Sequence, residues 1–513
     1  MGATIGVAAY PEAGSDLQTL LRTVQCIEAS ADEVHAQRPS RHAKLQFMKV
    51  LLVSCYELGH QPLHVASAAA FLREAGHDVS AVDLSVQSLD EADLDSPELI
   101  AIAVPMHTAM RMAVPVARAI RAHRGARVRI VLFGLYAPLC GPALESGLAD
   151  ALIGGEYEQA LVGIANGTPD PRTVVLDRLH FPLPARDLLP PLDRYTRLQV
   201  DGEERLTGYV EATRGCVHRC RHCPVPAVYD GRIRVWQNDV LIEDVARLWA
   251  DGMRHLTFGD PDFLNTVPHA TAVVRAVHER CPELTFDITT KVEHILEHAD
   301  VIAELRELGL LFIVSAVEST SPRVLELLDK GHSADDILAA LRICRSLGLE
   351  LRPSLLPFTP WSTLSDQIDL LDLIAANDLI DSVDPVQLSI RLLIPPGSLL
   401  LTLPEMREHL RGYDAAGFSH LWQHPDPMMD ALQAEIAELV AADADAGVGP
   451  RSTHAAIRRI TARAVTDAGL AWSNDGNALP PEREAPPRLS EPWFCCAEPT
   501  TAQLASTGVR FGT

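Results

Sequence analysis

The chain has 513 residues, 47% of them hydrophobic and 22% charged, with a formal net charge of −24. It is long enough for two or three domains with sizeable cores, and its acidity argues against a nucleic-acid or anionic-membrane partner, because phosphate binding requires clustered Lys and Arg. Apart from one triad and the pair Cys495–Cys496, the ten cysteines are dispersed and form no disulfide framework. No apolar stretch reaches the roughly 18 residues of a membrane span, and no basic-then-apolar leader opens the chain, so the expectation is a cytoplasmic protein with no membrane partner.

Residues 1–47 carry little pattern beyond one possible helix over 16–31 and read as an N-terminal extension. From Met48 the periods alternate: strands at 50–54, 79–84, 99–104, 128–133 and 151–153, with helices at 65–75, closed by Gly76, and at 113–123. Strand and helix alternating at these lengths predict a doubly wound, Rossmann-like α/β domain over 48–180, with ligands at the carboxyl ends of its strands. No G-x-G-x-x-G follows the first strand, which argues against a dinucleotide.

After a linker rich in Pro and Arg, alternation resumes over 198–403. Strands are expected at 209–212, 255–258, 285–288, 312–317, 350–356 and 386–393, with helices between them. Six β/α units predict a partial (β/α)6 TIM barrel, whose chemistry gathers at the strand carboxyl ends. Residues 404–480 read as a helical C-terminal region, and 481–513 as a Pro-rich linker with an extended tail carrying Cys495 and Cys496.

The densest chemistry follows the first barrel strand: Thr-Arg-Gly-Cys216-Val-His-Arg-Cys220-Arg-His-Cys223-Pro. This C-x3-C-x2-C spacing suits three irons of a [4Fe–4S] cluster, which normally takes four thiolates, so the fourth iron stays open to a ligand. A zinc loop completed by His218 or His222 is the alternative, though those spacings are cramped for the usual knuckle pairs.

Together with Phe258-Gly-Asp-Pro-Asp-Phe263, Ala316-Val-Glu-Ser319, Leu328-Asp-Lys-Gly331 and Pro395-Pro-Gly397, in order and at approximate spacing, the cysteine motif resembles the radical S-adenosylmethionine (SAM) superfamily. Lys49-Val-Leu-Leu-Val-Ser, Ala70-Phe-Leu-Arg-Glu-Ala-Gly-His77 and Gly154-Gly-Glu-Tyr-Glu-Gln-Ala-Leu161 resemble the N-terminal cobalamin-binding-type domain of some members. The resemblance implies a cluster on Cys216, Cys220 and Cys223, SAM on its open iron, an electron donor such as flavodoxin or ferredoxin, and a small-molecule substrate. It further implies that Gly259 and Asp260 hold the SAM amino group and that Glu318 bonds its ribose or amino group, a surface salt bridge being the other reading of Glu318. Arg352 would face the SAM carboxylate, although strand alternation could equally turn it outward.

Two departures stand out. His222 replaces the usual aromatic residue before the third cysteine, and the D-x-H-x-x-G signature that supplies a histidine to cobalt is missing. The corresponding loop, 54–61, offers His60 and Cys55 as cobalt neighbours; relatives without the signature include both cobalamin binders and proteins that have lost it, so cobalamin stays open. The tail segment Cys495-Cys496-Ala-Glu-Pro499 resembles a narrower radical SAM group and implies catalytic thiols. The expected function is reductive cleavage of SAM for cobalamin-type methyl transfer or another radical modification. The alternatives are a transferase forming carbon–arsenic or carbon–selenium bonds on the vicinal cysteines, and a cluster- or cobalamin-bearing sensor.

Overall fold

Continuous apolar runs build the first sheet, because parallel strands covered on both faces need no polar alternation. In the computed structural model, which describes residues 47–472, 484–491, 497–499 and 503–504, these are β1 (Lys49–Ser54), β2 (Asp78–Asp83), β3 (Leu99–Ala103), β4 (Arg129–Phe133), β5 (Ala151–Gly155) and the short β6 (Val174–Val175). They lie in the order β2-β1-β3-β4-β5-β6, all parallel. Helices Leu63–Glu74, His107–Arg124 and Glu158–Ala165 cover the sheet. The second helix starts six residues before the expected 113 and carries Pro115 within it.

The second sheet opens with an antiparallel pair, β7 (Arg197–Val200) and β8 (Glu203–Val210). Next along the chain, the short β9 (Thr213–Gly215) pairs with β10 (Ile233–Val235), and the cysteine loop lies between them. The barrel wall proper is β8 followed by β11 (His255–Phe258), β12 (Thr285–Thr290), β13 (Leu310–Glu318) and β14 (Glu350–Leu355), parallel throughout. Much later in the chain, residues 410–422 form a hairpin of β15 (Leu410–Asp414) and β16 (Ser419–Trp422), and β17 (Arg488–Leu489) adds on to β7. The full order of the second sheet is β14-β13-β12-β11-β8-β7-β17.

Three expectations are corrected. The first barrel strand is β8, which ends at Val210, not 212. The sixth strand, expected at 386–393, is reduced to a single parallel bridge between Phe358 and Arg391, while Pro385–Leu388 is a 3-10 turn. Pro385, Pro395 and Pro396 flank this segment and lack the amide donors that a longer ladder would use. Within 404–480, the β15–β16 hairpin stands where the composition predicts a helix over 405–413. Gly412, at φ 125, takes the register irregularity within β15, and Phe418, at φ 53, ends the turn that leads into β16, conformations that a helix would not tolerate. Helices Pro427–Ala446 and Pro450–Asp467 follow as expected. No helix among the described residues is long and apolar enough to cross a membrane.

Candidate active site between two sheets

The carboxyl ends of both sheets open onto one cavity of about 520 Å³. The barrel contributes the cysteine loop, Asp260, Glu318 and Arg352; the first sheet contributes His60, His64, Tyr136 and Tyr157. All three loop cysteines line this cavity, Cys220 buried and Cys216 and Cys223 half-buried.

The path of the cysteine loop is set by a glycine and two charges. Gly215 sits at φ 82, where a Cβ would lie 2.2 Å from the Arg232 carbonyl oxygen, so no other residue fits without moving the β9–β10 pair. Asp260, fully buried at the end of β11, accepts from the amides of Ala212 (2.9 Å) and Thr213 (2.6 Å) and from the Thr213 hydroxyl (2.6 Å). Burial pushes its carboxyl up to about 7 against the pull of these bonds. Asp260 thus anchors the segment leading into the cysteines while itself lining the cavity. Gly259 is also constrained by packing, since a Cβ there would lie 1.9 Å from the Tyr209 hydroxyl.

Arg214 ties the loop to the first sheet. It is fully buried, and its guanidinium donates to Glu211 (2.8 Å), Glu158 (2.8 Å) and the Tyr157 hydroxyl (3.2 Å). The rings of Tyr157, Phe181 and Trp236 lie 5.0, 5.3 and 5.3 Å from its central carbon. Glu156 lies 3.8 Å away and accepts from the Tyr229 hydroxyl; burial pushes its carboxyl up to about 7, with Arg214 pulling the other way. His64 makes a second bridge between the sheets, 3.0 Å from Glu57 and 3.5 Å from Glu211. Burial alone would lower its pKa, but the two carboxylates outweigh that and raise it.

Glu318 ends β13 at φ 65, and one of its oxygens lies 3.2 Å from both Lys330 Nζ and His222 Nε2. It is a buried cavity-wall group, not a surface salt bridge. Burial works to raise its pKa, but Lys330 and His222 outweigh it and hold the carboxyl at about 2. Stability from the ionised form is thus complete above the ordinary carboxylate range and lost as pH falls toward 2. A shift of this size corresponds to roughly 3 kcal/mol. Glu318→Gln should remove that acid-limb dependence from the unfolding free energy, as measured by denaturant titration from the ordinary carboxylate range down toward the folded value. Arg352, buried, points along the cavity wall to Asp384 (2.9 Å) and the Pro487 carbonyl (3.4 Å).

Beside the loop, His218, Asp262 and His294 approach closely enough to hold a divalent metal. However, Lys291 Nζ lies 3.2 Å from His218 Nδ1 and donates to it. A metal-bound His218 would need an acceptor there. The four groups instead complete a hydrogen-bonded chain, with His218 and His294 Nε2 atoms 3.2 Å apart and His294 Nδ1 3.1 Å from Asp262.

On the first-sheet side, His60 is buried against Tyr209, its Nδ1 without a hydrogen-bond partner among the described residues, and burial lowers its pKa to about 4. Ser54 Oγ, at the end of β1, and Glu57 Oε1, in the loop that follows, are likewise without one among the described residues. Cys55 packs into the hydrophobic core beneath them, outside the cavity lining, and burial pushes its thiol far up. Of the two expected cobalt neighbours, His60 faces the cavity and Cys55 does not. Cys495 and Cys496 lie outside the described residues. The residues flanking them are held at the first sheet: Glu491 accepts from the Tyr56 hydroxyl (3.1 Å), the Ala497 carbonyl from Thr108 (2.8 Å), and Glu498 pairs with His107 (2.9 Å) and Arg111 (2.8 Å).

Comparison with known proteins agrees with this architecture. Residues 210–374, which hold the cysteine loop and most of the barrel, match the model described as the radical SAM superfamily. Residues 210–374 thus form a radical SAM domain, which follows a doubly wound α/β domain. The chain is 25% identical over 319 residues to an uncharacterized methyltransferase of Pyrococcus horikoshii, covering 56% of this chain and 67% of that one. It is 24% identical over 324 residues to the hopanoid C-3 methylase of Methylococcus capsulatus, covering 59% and 62%. The chain therefore spans about two thirds of the length of these relatives. The same fold occurs in the cobalamin-dependent radical SAM enzyme OxsB solved with aqua-cobalamin (TM-score 0.59, 16% identity, 76% of this chain and 66% of that one). It also occurs in the methyltransferase TsrM of Kitasatospora setae solved with cobalamin and a [4Fe–4S] cluster (TM-score 0.57, 15% identity, 82% and 100%).

Proposed function

We propose that this enzyme transfers a methyl group from SAM to a small molecule, with a [4Fe–4S] cluster on Cys216, Cys220 and Cys223 and cobalamin seated across the cavity against the first sheet. The observation that carries this reading is the shared cavity, where three cysteines on one wall face the carboxyl ends of a doubly wound sheet on the other. His60, whose buried Nδ1 lacks a partner among the described residues, lines this cavity and suits a polar ligand there, since such atoms are rarely left unsatisfied. Cobalamin in the two solved neighbours supports the same reading.

When bound, the cluster supplies one electron for cleavage of the sulfonium, and cobalamin carries the methyl group. The chain's part is to hold and orient. Asp260 and Gly215 fix the cysteine loop, Arg214 and His64 hold the two sheets in register around the cavity, and Glu318 with Lys330 presents a paired charge on the SAM side. Arg352 takes the SAM carboxylate if it leaves Asp384, and the backbone of Gly259 accepts from the SAM ammonium.

Cys495 and Cys496 complete the site as thiol groups acting on the substrate, in a segment whose flanks are tied to Tyr56, Thr108, His107 and Arg111. Vicinal thiols form only a strained bridge, because neighbouring Cα atoms lie about 3.8 Å apart. Replacing both by serine should abolish methylated product while leaving abortive SAM cleavage. Glu498→Gln, which weakens the tie to His107 and Arg111, should lower product yield several-fold and speed proteolysis of the tail.

The test is anaerobic reconstitution followed by product analysis. S-Adenosylhomocysteine and 5′-deoxyadenosine formed together with methylated product, and cobalt bound at one per chain, is the expected result. 5′-Deoxyadenosine alone with no cobalt uptake would replace methyl transfer by hydrogen abstraction, and methylthioadenosine by aminocarboxypropyl transfer.

A further inference from the structure

Below the cysteine loop, the barrel strands set their side chains in layers fixed by register. Tyr209 lies beside Thr257, Thr257 beside Asp287, and Asp287 beside Phe312. In the next layer toward the carboxyl ends, Thr289 lies beside Val314 and Val314 beside Arg352. Leu256, Phe258, Phe286 and Ile288 alternate with the polar residues of β11 and β12 and join the main hydrophobic core. Thr257, Asp287 and Thr289 therefore turn the other way, into the cavity that they line.

Asp287 is the deep charged point of this lumen. It is 3% exposed, and both of its hydrogen bonds reach Oδ1, from His255 Nε2 (2.9 Å) and the Thr257 hydroxyl (2.7 Å). Oδ2 receives no donor among the described residues. Fully buried His255 stacks on Phe312, with 5.8 Å between ring centroids, and backs the carboxylate. The Lys and Arg side chains of the cavity wall pair elsewhere: Arg214 with Glu158 and Glu211, Lys291 with Glu293, Lys330 with Glu318, Arg352 with Asp384 and Arg391 with Asp430. None of them is free to receive an anion.

Tyr209 supplies a second open group. Its hydroxyl has no hydrogen-bond partner among the described residues and lies over Gly259, where a Cβ would stand 1.9 Å from it. Its ring packs on His60 with 5.0 Å between centroids, and His60 brings no charge, since burial lowers its pKa to about 4. A carboxylate oxygen and a phenol hydroxyl left open in such a cavity gain from a ligand that satisfies both.

We propose that Asp287 and Tyr209 anchor the substrate by a hydrogen-bond-donating, non-anionic end, an amine or a hydroxyl, with its apolar body along Phe312 and Val314. The proposal rests on the reading of this cavity as the site of methyl transfer and names the small molecules it takes. A carboxylate or phosphate end is rejected, because it meets Asp287 with no unpaired cation to balance it. Tyr209 also sets the anchored end next to Gly259, and with it the distance of the substrate from SAM.

Calorimetric titration of the reconstituted full chain with phenethylamine, phenethyl alcohol and hydrocinnamate, three probes sharing one apolar body, tests this. The amine and the alcohol should each bind about tenfold more tightly than the carboxylate. Asp287→Asn should weaken the amine about tenfold without weakening the carboxylate, and Tyr209→Phe should weaken the alcohol several-fold. Amine above alcohol marks a cationic substrate end and alcohol above amine a hydroxyl, and either order supports the anchor. Should Asp287→Asn fail to fold, Tyr209→Phe and the wild-type preference decide the matter. With iron and cobalt taken up normally, a carboxylate bound as tightly as the amine, a preference that survives both substitutions, or no binding of any probe overturns the anchor alone. A wild-type chain that takes up neither metal overturns the proposed function and this substrate role with it.

Discussion

Arg214→Met should destabilise the folded chain by about 3–5 kcal/mol, the usual consequence of removing one partner from a buried ion cluster. The guanidinium bonds both Glu158 and Glu211 in a site closed by three aromatic rings. Without it those carboxylates face each other and Glu156 in a dry environment and must take up protons to stay buried. Denaturant unfolding at neutral pH should show the loss, and the gap to wild type should narrow at lower pH as the orphaned carboxylates protonate. Because Arg214 lies two residues before Cys216, the variant should also lose most of its iron after reconstitution. An unfolding midpoint unchanged from wild type would mean that the two sheets are held together by something else.

Cys220→Ser should have the second large effect, reducing SAM cleavage to the uncatalysed background. Its thiol is the most buried of the three and lies in the middle of the loop, so a hydroxyl there removes a soft ligand from the site's centre. The fold should survive, because the loop's path depends on Gly215, Asp260 and Arg214, whose contacts do not involve the substituted atom. Near-native far-ultraviolet dichroism combined with lost iron and lost cleavage is the expected pattern. Retained cleavage would exclude Cys220 as a ligand.

The cysteine triad and both alternating sheets are legible in the sequence because each is written in local spacing: three thiols within eight residues, and apolar runs of strand length. The sixth barrel strand is misleading because the apolar pattern of 386–393 persists while the flanking prolines remove ladder donors. The hairpin at 410–422 is hidden because its glycine punctuation lies inside a segment of otherwise helical composition. The site's electrostatics are largely invisible to spacing. Arg214 with Glu158, His64 with Glu211 and Glu498 with His107 are separated by 56, 147 and 391 positions respectively, and no local period records such pairs. Asp260 reads correctly as a strand-end residue at the site, but which donors it meets depends on the backbone of Ala212 and Thr213, and spacing does not encode that.

Low-temperature EPR of anaerobically reconstituted, dithionite-reduced protein, recorded with and without SAM, tests the central claim most directly. Three thiolates and one open iron predict four irons per chain, a signal on reduction, and a change in that signal when SAM is added. A colourless protein, or a signal indifferent to SAM, would contradict it.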